Sequence, residues 1–119
     1  MTPAEHRRLI VDTWSAAWSE PDENRRRDDL RRTASAACVY TDPHVALAGH
    51  EAISAYMGQF QGSAPGARFV NTGFATHHDH CLLQWDMVDG AGKVISHGAS
   101  AGVFDADDRL AQMTGFFDS

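Results

Sequence analysis

The hydrophobic period of this 119-residue chain changes once, near Ala67, and that change restricts it to folds that set helices against a sheet. Before it, Ile10, Trp14, Ala17 and Trp18 recur at helical spacing and make one apolar face. Thr2-Pro3-Ala4-Glu5 starts that helix, a capping pair around a proline at the first helical position. Ser19 to Asp22, with Pro21 inside, breaks it. The pattern predicts a second helix over about residues 22–36, with Leu30, Ala34 and Ala37 inward and its arginines outward. A third opens at Gly49-His50-Glu51 with Ile53, Tyr56, Met57 and Phe60 on one stripe, and Gly62, Pro65 and Gly66 end it.

From Ala67 onward the period is two, and strands are predicted at about 67–76, 80–88, 93–104 and 109–117. The turns fall near His77–Asp79, at Asp89–Gly92 and at Asp105–Asp108. Cys81, Leu83, Trp85 and Met87 alternate with His80, Leu82, Gln84 and Asp86, so the odd positions face the core. The next strand alternates Gly98, Ser100 and Gly102 with Ala99, Ala101 and Val103, and neither face of its middle offers bulk. Small residues inside a curved sheet leave a volume that large neighbours or a ligand must fill.

The length bounds one domain, residues 1–119, with no room for a second core. A formal charge of −6 argues against nucleic acid as a partner. The arginines of residues 25–32 are interleaved with Asp28 and Asp29, which is the pattern of a solvated helix face. No apolar run is long enough to span a membrane, and the polar stretch Met1 to Arg8 has no signal-peptide core, so the expected location is cytoplasmic. Cys38 and Cys81 lack paired spacing and are expected as two buried thiols. His77, His78 and His80 surround Asp79 at a hairpin turn with no further ligand at a metal-binding spacing, so no metal site is expected. Asp105, Asp107 and Asp108 are expected to form a polar turn and not a calcium loop.

Asp42 is the chemically charged feature. Proline at 43 pushes it into extended geometry, and Val39, Tyr40, Trp14, Trp18, Tyr56 and Phe60 supply apolar surface around it. A carboxylate so placed is either an acid/base or the cap of a turn. Tyr40 and His44 flank it at alternate positions and could share its face.

Trp14-Ser15-Ala16-Ala17-Trp18, Tyr40-Thr41-Asp42-Pro43 and Gly49-His50-Glu51-Ala52-Ile53 precede the Asp89–Gly92 hairpin, and the run from Phe104 to Leu110 leads into Met113–Phe117. In this order and spacing, over essentially the whole chain, they resemble the nuclear transport factor 2-like superfamily. The likeness is greatest to its SnoaL-like branch, related to polyketide cyclases and ketosteroid isomerases. The resemblance implies an α+β cone: a curved mixed or antiparallel sheet wrapped around three N-terminal helices, with a pocket at the open end. It implies Asp42 as the base, with Trp14 and Ser100 at the positions of the oxyanion donors; Ser100 stands where such isomerases carry an acid. Relatives that hydrolyse epoxides need inward carboxylates where this chain has Trp85 and Gly115. The resemblance also implies pairing of two copies through the outer sheet face.

The expected function is therefore binding of a small apolar organic molecule, with a cofactor-free isomerase- or cyclase-type proton transfer by Asp42. Trp14, Trp18, Tyr40, His44, Tyr56, Phe60, Trp85, Ser100, Met113 and Phe117 are the candidate substrate-binding residues. The alternative is a non-catalytic ligand-binding or protein-association module of the same fold.

Overall fold

The computed structural model of the chain describes residues 1–118. Helix α1 runs Pro3–Ala17, and its first turn is closed as expected: the Thr2 hydroxyl accepts the Glu5 amide at 3.1 Å and donates to the Glu5 carboxylate. Helix α2 runs Glu23–Thr33, capped by the Asp22 side chain on the Arg25 amide. Strand β1 (Ala34–Thr41), the short strand β2 (Ala46–Ala48) and helix α3 (His50–Ser63) follow. Strands β3 (Arg68–His77), β4 (His80–Val88), β5 (Val94–Phe104) and β6 (Leu110–Phe116) complete the chain.

The sheet has the order β2-β1-β6-β5-β4-β3, parallel only between β1 and β6. Register shifts between Asn71 and Gly73, Met87 and Val88, and Val103 and Phe104 add local twist that bends it. Among the described residues it is a curved, unclosed mixed sheet with three helices, an α+β cone. The core between them includes Val11, Leu30, Ile53, Met57, Leu83, Leu110 and Met113, all essentially without exposure.

Two expectations fail in the first half. Residues 34–36 are not helical, and strands β1 and β2 were not foreseen. Thr33 ends α2 by turning its hydroxyl back to the Asp29 carbonyl at 2.8 Å. Ala34 then pairs with Leu110 on β6, which turns Cys38 and Tyr40 inward and leaves Ala37 exposed. Helix propensity favours an alanine-rich run, but pairing with β6 from Ala34 onward, joined by β2 at residues 39–41, overrides it. The third helix thus follows the first β-hairpin.

Arg26 also points inward, against expectation, while the other arginines of α2 stay at least partly exposed. Its guanidinium donates to the Ser54 carbonyl and hydroxyl at 3.1 and 3.0 Å and to the Glu20 carbonyl at 2.9 Å. It ties α2 to α3 and to the α1–α2 link, where the Glu20 carbonyl also accepts from the Gln61 side chain at 2.9 Å. Gly58 leaves room for it, since a Cβ there would lie 3.2 Å from a guanidinium nitrogen. Arg26→Ala should remove three charge-assisted hydrogen bonds between α2, α3 and the α1–α2 link and cost about 1–3 kcal/mol, read by urea unfolding. A change within error would show the staple to be idle.

The small residues of β5 are filled in two of three places. The Trp85 ring covers Gly98, and Cys81, Met113 and Leu110 close around Gly102. Space remains only toward Ser100 and its cross-strand partner Gly115. Cys38 and Cys81 are free and buried, and burial pushes both thiols up to about 11. No described helix is long and apolar enough to cross a membrane.

Candidate functional site

β1 and β2 form a hairpin whose register pairs Thr41 with Ala46, so residues 42–45 are its turn. Asp42 builds that turn. Its amide donates to the Val45 carbonyl at 3.1 Å, and its Oδ1 accepts the amides of His44 and Val45 at 2.8 and 3.2 Å. Its other oxygen faces inward, where Oδ2 accepts the hydroxyls of Tyr40 and Tyr56, each at 2.8 Å. Of the two roles weighed from sequence, Oδ1 fills the turn cap, and Oδ2, bridged by two phenols, is the oxygen available for the other. Burial first, then the Asp42 hydrogen bond, raises both phenols: Tyr56 to about 12 and Tyr40 further still. Both tyrosines therefore keep their protons at neutral pH and spend them on Asp42.

This unit forms part of the wall of a cavity of about 460 Å³ between the concave sheet and α1 and α3. Trp18 is its aromatic hub, with ring centroids 5.4 to 5.9 Å from Tyr40, Tyr56, Phe60 and Phe69. Such tilted and edge-on contacts are the favoured aromatic geometries, so the wall is stiff. Across the cavity the Trp85 indole N–H donates to the Ser100 hydroxyl oxygen at 3.0 Å. Ser100 still has its own O–H to give. Between the two polar groups lies Gly115; a Cβ there would stand 3.3 Å from the Tyr40 hydroxyl and 3.6 Å from Asp42 Cβ. Gly115 keeps that space open.

Trp14, Trp18, Tyr40, Asp42, His44, Tyr56, Phe60, Trp85, Ser100 and Phe117 all line the cavity. Met113 does not. It is fully buried beneath the sheet, its sulfur occupying the volume that Gly102 leaves. Phe69, Met87 and Gln59 line the cavity without having been foreseen. Phe69 stacks on Phe60 at 5.2 Å and meets Trp85 edge-on at 4.9 Å. Continuing the alternation from the buried Ala67 would have found it.

Other candidates lie elsewhere. His77 and His78 face each other, Nδ1 to Nδ1 3.1 Å, on the exposed β3–β4 hairpin. Among the described residues no group of three or more His, Cys, Asp or Glu side chains is placed to hold a metal ion. His97 faces outward, as its parity with Ser100 requires, and pairs with Asp86. The Asp105 carboxylate is spent on the amides of Asp107 and Arg109, the polar turn expected there.

No family model matches the sequence, and no curated protein matches it. Solved structures do. A candidate isomerase of the SnoaL-like family from Agrobacterium tumefaciens superposes with a TM-score of 0.86 at 27% identity, over 93% of this chain and 96% of that one. The fold is that of the SnoaL-like branch of the nuclear transport factor 2-like superfamily. A candidate SnoaL-like polyketide cyclase from Jannaschia sp. aligns over 99% of this chain and 90% of its own, with a TM-score of 0.73 at 18% identity. A de novo designed protein with a curved β-sheet reaches 0.75 at 9% identity, over 99% of this chain and 88% of that one. The SnoaL-like cone is thus reachable by sequences with no shared ancestry, and function must be argued from the side chains in the cavity.

Proposed function

We propose that the chain binds a small ring-containing organic molecule in the aromatic cavity and moves a proton on it without a cofactor, in the manner of an isomerase or cyclase. The supporting observation is the pair of phenols sharing Asp42 Oδ2 at 2.8 Å on the cavity wall. All four acceptor positions of Asp42 are occupied by the chain's own donors, so the carboxylate acts through a tyrosine. Tyr56 is the more exposed of the two. Its oxygen takes the proton from carbon beside a substrate carbonyl as its own proton passes to Asp42 Oδ2. Reversal of both transfers returns a proton to a different carbon. The Ser100 O–H, its oxygen held by Trp85, donates to the carbonyl oxygen where charge builds.

The test is deuterium uptake by 2-tetralone in D₂O, followed by proton NMR. The chain should speed exchange beside the carbonyl, and Asp42→Asn should lose about 100-fold of that rate, as for a general acid–base group. The same full occupancy of Asp42 favours a second reading, a non-catalytic binding or association module. Ring-ketone binding with no exchange above background would select it.

We further expect a homodimer across the outer sheet face. Leu82, paired with Ala101, and Phe116, paired with Ala99, stand about half exposed there beside Val39. Light scattering should give twice the 13.0 kDa chain mass at tens of micromolar; a 13.0 kDa particle would contradict it.

A further inference from the structure

The cavity has a sign as well as a shape. Its lining contains no lysine and no arginine. The ionisable groups that line it are Asp42, Asp118, His44 and the two tyrosines. Arg26, which is buried, is committed to Ser54 and Glu20 and is not part of the wall. At the Asp42 end each phenol has one proton and spends it on Oδ2, so each phenolic oxygen turns only lone pairs outward. The Tyr40–Asp42–Tyr56 unit itself therefore accepts hydrogen bonds and donates none, and the donors elsewhere in the lining are neutral N–H and O–H groups, those of Trp14, Trp18, His44 and Ser100 among them. Around it, Trp18, Tyr40, Tyr56, Phe60 and Phe69 lie with ring centroids 5 to 6 Å apart, and the negative faces of such rings attract cations.

The geometry points to a ligand class: a ring-bearing molecule that presents a protonated amine to the Tyr40–Asp42–Tyr56 end of the cavity. An ammonium group there has two phenolic oxygens as acceptors, a carboxylate as counter-charge behind them, and aromatic faces at its sides. A carboxylate or phosphate at the same place would meet phenolic lone pairs backed by the Asp42 charge, with no lysine or arginine in the lining to offset its desolvation. The net charge of −6 also draws cations toward the chain at long range. The donor at Ser100 remains for an oxygen at the other end of the ligand.

This ligand class rests on the cavity being a small-molecule site and is independent of whether a proton moves. Ligand-observed NMR titrations at neutral pH with 2-naphthylmethylamine, 2-naphthylmethanol and 2-naphthoate hold the ring constant and change the charge. The amine should bind about tenfold more tightly than the alcohol, with the carboxylate weakest. Asp42→Asn should shrink the preference for amine over alcohol to about threefold or less, on the same scale. Should that variant not fold, contacts in the wild-type complex decide the orientation. The aminomethylene protons should show nuclear Overhauser effects to tyrosine rings, which here come only from Tyr40 and Tyr56. Carboxylate binding as tight as amine, equal binding of amine and alcohol, or a methylene group remote from both tyrosines overturns the inference and leaves the cavity a ligand site. Failure of all three probes to bind overturns the inference and the small-molecule site together.

Discussion

Asp42→Asn should cost the fold about 2–4 kcal/mol and, under the proposed mechanism, remove the proton transfer as well, because that mechanism uses the side chain that also caps the turn. The carboxylate accepts two amides on Oδ1 and two phenols on Oδ2. An asparagine has one acceptor oxygen. If that oxygen keeps the turn amides, the NH₂ group confronts two hydroxyl donors; if it keeps the phenols, the hairpin turn loses its cap. Either way two donors lose their partner. Loss of a cap costs about 0.5–2 kcal/mol, and hydrogen bonds to a charged group are worth about 1.5–3 kcal/mol each before solvent screening at this half-buried site reduces them. A stability loss in this variant therefore does not argue against catalysis. Tyr56→Phe separates the roles: it removes one of the four hydrogen bonds and leaves the turn intact, so the melting point should fall less than in Asp42→Asn while exchange on the ring ketone falls with the relay. Thermal melts beside the exchange assay read both, and full exchange activity in Tyr56→Phe would remove the tyrosine from the pathway.

Gly98→Ala should be the most damaging single-methyl addition on the sheet. A Cβ at this position would overlap the six-membered ring of Trp85, far inside van der Waals contact, and the flat indole has no flexible end to swing away. Trp85 is buried and wedged between Phe69 at 4.9 Å and Phe117 at 6.1 Å. Its displacement would push it into the cavity and pull its N–H from Ser100. Overpacking of this kind costs about 1–3 kcal/mol, and here ligand affinity should fall with it. Gly92→Ala is the contrast, since open space surrounds that turn; its cost should come only from its positive φ of 85°. Melting curves and probe titrations on the two variants should show loss of binding in Gly98→Ala alone.

Where a residue faces water on one side and core on the other, its role was legible from period alone. Cys81, Leu83 and Trp85 alternate into the core, and Ile10, Trp14 and Trp18 fall on the inner face of α1. Local chemistry was legible too, in the Thr2–Glu5 cap and the Asp105 turn. What failed depends on partners distant in sequence. Ala34–Ala37 carries no strand signal of its own and becomes strand where Ala34 pairs with Leu110 on β6, at the head of a strand whose later residues pair with β6 and β2. Arg26 reads as one of a row of surface arginines, and only the approach of Ser54 and Glu20 makes its burial favourable. Met113 shares its face with true lining residues but lies one layer too deep, a difference of depth that alternation does not encode. Asp42 was found, and the turn cap weighed for it is present in the amides on Oδ1. That its other oxygen gathers two phenols was not legible, because it follows from the hairpin register that brings Tyr40 and α3 to the same side.

The account depends on Asp42 holding the protons of Tyr40 and Tyr56, and the chain's two tyrosines make that directly measurable. Phenolate absorbance followed against pH reports this pair and no other residue of the type. A free phenol ionises near pH 10. Burial and the Asp42 hydrogen bond should hold Tyr56 to about 12, with Tyr40 later, so the folded chain should show almost no phenolate at pH 10. In a folded Asp42→Asn both midpoints should drop, though burial keeps them above 10. Two tyrosines ionising together near pH 10 in the folded wild-type chain, unmoved by Asp42→Asn, would contradict the shared-proton site.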